Sequence, residues 1–110
     1  MPTVNFFSTS SAQKELILKQ LSQFKVNLVA SLSCSDIKLD EKEISIRIIQ
    51  SDKSGMIANL EVEITAHAFE ERIQKQDEIC LEFRECVMEL IPGVDVRVWL
   101  LLPQLGHSWE

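Results

Sequence analysis

The chain begins MPTVNFF, and Pro2 is the residue there with chemistry to offer. Two readings of it are open. A proline in this position stiffens the start of a strand, where its missing N–H is tolerated. Alternatively, removal of Met1 exposes a secondary amine that can take up a proton. Further along, ISIRII and VDVRVW each set an arginine (Arg47, Arg97) between β-branched neighbours, and LEVEIT carries Glu61 and Glu63 two residues apart. On a strand that spacing puts both carboxylates on one face. Two carboxylates so placed can do acid–base work, but Arg47 and Arg97 offer them partners, and ion pairing is the simpler reading.

The remaining reactive residues point to less. Cys34, Cys80 and Cys86 are an odd number without CxxC spacing, which reads as free thiols in a reducing compartment. Cys80 and Cys86 fall in one predicted helix about 240° apart, so they share neither a metal nor a disulfide. His67 sits at a strand-to-helix corner as a polar junction residue. His107 and Glu110, in GHSWE, lack a third spaced ligand, so no metal site is expected. GxGxxG, P-loop, HExxH and GxSxG motifs do not occur, and no cofactor is expected.

Bulk properties narrow the class. A chain of 110 residues with 45% hydrophobic content is long enough for one domain, 1–110, with its own core. The formal charge is −6, from 17 acidic against 11 basic residues, and the basic residues form no cluster. Such a surface repels phosphate backbones and anionic lipid, which argues against nucleic-acid and membrane partners. No stretch of 18 apolar residues or signal peptide is read, so the expected location is cytoplasmic.

Hydrophobic periodicity gives the elements that must position these residues. A short strand covers 3–7. A helix then starts where Ser10 and Gln13 stand in capping-box spacing, and Ile17, Leu21, Phe24, Leu28 and Leu32 carry it for about six turns. EISIRIIQ alternates as a strand. SDKSG is a turn with Gly55 as the expected positive-φ residue, and NLEVEITA alternates again. A second helix is expected over 69–91 with Phe69, Ile73, Cys80, Phe83, Val87 and Leu90 along its stripe, leaving Arg72, Lys75 and Arg84 on a solvated face. Pro92 and Gly93 end it. VDVRVWLLL is the last strand, and PQLGHSWE is a tail.

The order is β-α-β twice over. It predicts an α+β domain in which two β-α-β units form a four-stranded mixed sheet with two helices on one face. The covered face would hold Val4, Phe6, Ile44, Ile46, Ile48, Leu60, Val62, Ile64, Val94, Val96, Val98 and Leu100. The other would mix Phe7, Ile49, Trp99 and Leu101 with Arg47, Arg97, Glu61, Glu63 and Asp95. A mixed patch of that kind suits a sheet-mediated homo-oligomer. The alternative is a monomer whose tail, with Leu105 and Trp109, shields Trp99.

Pro2 directly after Met1, the β-α-β doublet, SIRII around Arg47 and the helix-then-VDVRVWL ending together resemble the tautomerase superfamily, the group of 4-oxalocrotonate tautomerase and macrophage migration inhibitory factor. The resemblance runs over nearly the whole chain. It implies two-unit subunits assembled as trimers, with the sheets facing a central channel. It also implies that Pro2, freed by loss of Met1, moves a proton between carbon and oxygen of an enol or keto acid, while Arg47 holds a substrate carboxylate. An α-amino group titrates around 8, and an apolar pocket beside a cation lowers that further, toward the range that proton abstraction next to a carbonyl requires. With Met1 retained, the Pro2 nitrogen is an amide and cannot be a base. Where the oxalocrotonate group carries an arginine between first strand and first helix, this chain reads STSSAQK. Lys14 is the nearest cation there, so substrate binding at that point is altered or absent. Two other readings remain: a non-catalytic oligomeric scaffold or ligand-binding relative, and a ferredoxin-like fold with the same element order.

Overall fold

The computed structural model describes residues 2–34, 38–52 and 55–104. Four strands form one sheet in the order β2-β1-β3-β4, with β1 at Thr3–Ser8, β2 at Ser45–Gln50, β3 at Leu60–Thr65 and β4 at Val96–Leu101. The central pair, β1 and β3, is antiparallel, while β1/β2 and β3/β4 are parallel. Each parallel pair needs a crossover, which the helices supply. Each β-α-β unit therefore keeps its own two strands side by side, and the ferredoxin-like pairing is not adopted. The architecture is the α+β arrangement read from the sequence, with helices on one face of a mixed sheet.

The helices differ from expectation in one repeated way. The first is divided at Gln20 into α1 (Ser11–Lys19) and α2 (Leu21–Leu32), and the second at Lys75 into α3 (Glu70–Gln74) and α4 (Gln76–Leu90). Both break residues take nearly the same conformation, φ −108°, ψ 11° at Gln20 and φ −107°, ψ 16° at Lys75. Each donates its amide three residues back, Gln20 to Ile17 O and Lys75 to Arg72 O, and each carbonyl then starts the next helix by accepting from Phe24 or Ile79. A single tightened turn shifts the helix phase without leaving a buried amide unpaired.

At the start of α1, Ser10 caps Gln13 as its spacing implied: the Ser10 hydroxyl accepts from the Gln13 amide at 3.2 Å. The Gln13 side chain reaches one residue further back than a standard box and accepts from the Thr9 amide at 3.0 Å. The fully buried Ser8 hydroxyl lies 2.9 Å from both Ser10 O and Gln13 Oε1.

Three phenylalanines join sheet and helices. Phe6 of β1, Phe24 of α2 and Phe83 of α4 are fully buried, with ring centroids 5.3, 5.7 and 6.0 Å apart. Val4, Leu60, Val62, Ile64 and Val96 complete the helix-facing side of the sheet. Burying side chains of this size contributes about 1.5–3 kcal/mol each.

Several finer expectations are corrected. Ile46 and Ile48 are only partly buried, because β2 is an edge strand. Ile73, expected on the core stripe, is exposed, while Arg72 beside it is buried. Arg72 lies on the helical stripe that Ile79, Phe83 and Val87 continue. Gly93, at φ 80°, is the positive-φ glycine among the described residues, and Gly55 is not. Leu105, His107, Trp109 and Glu110 lie outside the described residues, and with them the shielding tail. No described helix is long and apolar enough to cross a membrane.

Candidate functional site

Pro2 heads the central strand. It is buried, and its carbonyl accepts a hydrogen bond from the Ser45 amide at 3.1 Å. That bond extends the β1/β2 ladder by one step beyond Thr3 and fixes where the proline ring sits. Lys14 lies at the other end of β1, exposed in the first turn of α1. A six-residue strand separates the two, about 20 Å at roughly 3.3 Å per residue.

Arg47 stands on the sheet face that no helix covers. The strand register arranges that face in three rows. Ile49, Phe7, Glu61 and Arg97 form the first, and Arg47, Asn5, Glu63 and Trp99 the second; Ser45, Thr3, Thr65 and Leu101 form the third. Arg47 is aligned with Asn5, three residues beyond Pro2, so the two are separated by about 10 Å of strand. Within one chain the structure therefore brings none of Pro2, Arg47 and Lys14 together.

The sequence presents Arg47 and Arg97 as ion-pair partners of the acids on this face, within the sheet or across an interface; among the described residues the pairing within the sheet is not made. Arg97 faces Glu61 across β3/β4, but the Glu61 carboxylate turns away to accept the Ile57 and Ala58 amides at 2.8 and 3.3 Å. It closes the loop before β3 instead of answering the arginine. Arg47 has Asn5 for its register neighbour rather than an acid. Among the described residues neither arginine is ion-paired, and both are exposed. Between Arg47 and Glu63, the Asn5 side-chain oxygen is buried with no hydrogen-bond donor. An acceptor in that state costs free energy until a donor arrives.

Arg72 is the residue that sequence reasoning placed wrongly. It is 3% exposed. Its Nε donates to Leu32 O and its Nη1 to His67 O, both at 2.9 Å, so the end of α2 is tied to the segment after β3. The guanidinium lies 4.8 Å from the Phe69 ring centroid, and His67 meets the same ring edge-on at 4.7 Å. Burial lowers the Arg72 pKa from its usual value, and nearby Cys34 partly restores it. A signal existed: Arg72 falls seven residues before Ile79, eleven before Phe83 and fifteen before Val87, the spacing of one helical stripe. Arg84, also read as solvated, is half-buried and donates from Nε to Val96 O at 2.9 Å.

The three thiols are free. Burial raises the Cys80 pKa, with Asp77 adding to it and a backbone hydrogen bond at Leu100 opposing it. Burial and Glu89 raise that of Cys86. The folded state thus disfavours both thiolates, and stability is lost as pH rises above the usual thiol value. At neutral pH, iodoacetamide is expected to label Cys80 and Cys86 more slowly in the folded chain than in the urea-unfolded chain, read peptide by peptide by mass spectrometry. Equal rates in the two states would contradict the burial argument. Among the described residues no group of three or more His, Cys, Asp or Glu is placed to hold a metal.

A four-stranded sheet built from two parallel pairs, with helices on one face, is a tautomerase-like fold. Solved structures with this fold cover nearly all of the chain. The R7 fused 4-OT wild-type asymmetric trimer superposes with a TM-score of 0.64 at 13% identity, over 96% of this chain and 92% of that one. The macrophage migration inhibitory factor-like protein of Entamoeba histolytica gives 0.58 at 8% identity, over 97% and 93%. A malonate semialdehyde decarboxylase inhibited by 3-bromopropiolate gives 0.58 at 16% identity, over 99% and 89%. Neither a family model nor a curated protein matches the sequence, so the likeness is one of fold.

Proposed function

We propose that the chain is a small oligomeric keto–enol isomerase, a trimer, in which Pro2 is the base once Met1 has been removed. The observation that carries this reading is the setting of Pro2. It is buried at the head of the central strand and held by its carbonyl bond to Ser45, which leaves its nitrogen as the one backbone group a processed chain would free. Deprived of water, a secondary amine favours its uncharged form, the one that accepts a proton from carbon next to a carbonyl. Arg47, exposed and without an ion-pair partner, is the guanidinium we assign to a substrate carboxylate, with Lys14 as a second, weaker cation.

Because one chain holds these three residues far apart, we place the site where copies meet, so that Arg47 or Lys14 of one copy approaches Pro2 of another. The mixed open face supports such a contact, as do the fused trimers among the fold's other examples. Three free thiols suit a reducing compartment, and we assign the protein to the cytoplasm.

Turnover of phenylenolpyruvate by the chain lacking Met1 tests the reading. Arg47→Ala is expected to raise KM by roughly 10- to 100-fold with a smaller change in kcat, the pattern of lost ground-state binding. A KM unchanged by that substitution removes Arg47 from the site. The same separation of Pro2, Arg47 and Lys14 favours the second reading, a non-catalytic oligomeric relative, which predicts no turnover even from a Pro2 terminus.

A further inference from the structure

The middle row of the open sheet face runs Arg47, Asn5, Glu63 and Trp99 across β2, β1, β3 and β4. An amide thus stands between the cation and the acid. Neighbouring strands lie about 4.8 Å apart, so the backbones of Arg47 and Glu63 are about 10 Å from each other. That is close to one Debye length at 0.1 M salt, and the acid cancels little of the guanidinium charge. Arg47 is exposed and Asn5 half-buried; the Asn5 Oδ1 itself is buried with no donor. A lone guanidinium stays in water, because burying an unpaired charge costs far more than satisfying one amide oxygen returns. A bound carboxylate reverses that balance. It accepts from two of the five N–H groups of the arginine fork, cancels the charge, and leaves a donor for the oxygen on the next strand.

We infer that Asn5 is a positioning residue for a carboxylate ligand. Its oxygen braces the Arg47 guanidinium once the anion is bound, and its neutrality leaves the Arg47 charge uncancelled until then. The inference rests on reading Arg47 as the carboxylate-binding cation and adds what makes that cation selective. Asn5→Asp would supply an acceptor at the same place, but its charge would pair with Arg47 in the empty chain and compete with the ligand. Asn5→Leu would fill much of the same space and offer the guanidinium nothing to donate to. Asparagine supplies the acceptor without the charge.

Calorimetric titration of the chain lacking Met1 with 3-phenylpropionate, and with the uncharged 3-phenylpropanamide as control, tests this. The unaltered chain is expected to prefer the carboxylate. Asn5→Asp is expected to weaken carboxylate binding by roughly 10- to 100-fold, the size of a charge-assisted hydrogen bond, and to leave the amide probe within about 2-fold. In an Arg47→Ala background the same substitution is expected to change nothing further, since the two residues act as a unit. A packing defect would instead weaken both probes and persist in that background. Asn5→Leu removes a buried acceptor that has no donor, so its Tm is expected to match or exceed the parent's while carboxylate binding weakens roughly 2- to 10-fold. This variant decides the matter if Asn5→Asp does not fold. Carboxylate affinity unchanged by Asn5→Leu, equal losses for both probes in Asn5→Asp, or an unaltered chain without preference for the carboxylate overturns the inference. Turnover is read separately. A chain with the expected binding pattern that isomerises no enol acid loses the isomerase and keeps the role of Asn5; turnover with binding indifferent to Asn5 does the reverse.

Discussion

Replacing Arg72 with methionine is expected to lower the stability of the fold by about 2–5 kcal/mol, the largest effect of any single polar side chain here. Methionine fills much of the space but donates no hydrogen bond. It removes the guanidinium donor from Leu32 O and His67 O, each bonded at 2.9 Å in the native chain, and leaves Leu32 O the weaker Cys34 thiol at 3.8 Å. A buried group stripped of its partner costs about 1–3 kcal/mol, and the lost contact of the guanidinium with Phe69 adds about 0.5–2 kcal/mol. Relief from keeping a charge out of water offsets part of this, since burial already lowers the Arg72 pKa. For a domain of this size the net loss corresponds to a fall in Tm of roughly 10–20 °C. Arg72→Lys is expected to recover little, because a single ammonium cannot reproduce the planar fork that reaches both carbonyls. Exposed Lys75→Met serves as the control and is expected to stay within about 0.5 kcal/mol. A methionine variant as stable as its parent would show that both carbonyls find water, and that the link between α2 and the segment after β3 is dispensable.

Blocking the Pro2 nitrogen is expected to reduce turnover of an enol acid by roughly 10²- to 10⁴-fold, the contribution of a positioned base, while the fold is kept. The separation of the two effects follows from the hydrogen bonding. What holds Pro2 against β2 is its carbonyl, which accepts from Ser45, and the state of its nitrogen does not enter that bond. A chain carrying one extra residue before Pro2 should therefore match the processed chain in circular dichroism, Tm and sedimentation and differ in rate alone. If Pro2 is only a strand-start stiffener, the extended and processed chains have the same activity, and Pro2→Ala costs less than about 1 kcal/mol. A difference in stability without a difference in rate would favour that reading.

Periodicity carries the phase of some elements of this fold and not of others. NLEVEITA alternates without interruption, and β3 has the burial pattern that alternation implies. Phe24, Leu28 and Leu32 likewise lie on the buried stripe of α2. Gln20 and Lys75 show the limit. A one-residue tightening of the helix leaves apolar spacing at three and four steps on either side, so nothing in composition marks it. The open face was legible as residue types but not as pairings. That Glu61 would serve the Ile57 and Ala58 amides rather than Arg97 depends on a loop path that local pattern does not encode. Pro2 stood out as a candidate through its position directly after Met1. Arg47 and Lys14 were legible only as cations, since their distances from Pro2 follow from strand register and strand length.

The proposed isomerase needs the Pro2 nitrogen to be a free amine in the working protein. N-terminal sequencing of the untagged chain, taken from the cells that naturally make it, tests this most directly. The expected first residue is proline. Methionine in the first cycle would leave the fold and the assembly as described and remove the isomerase.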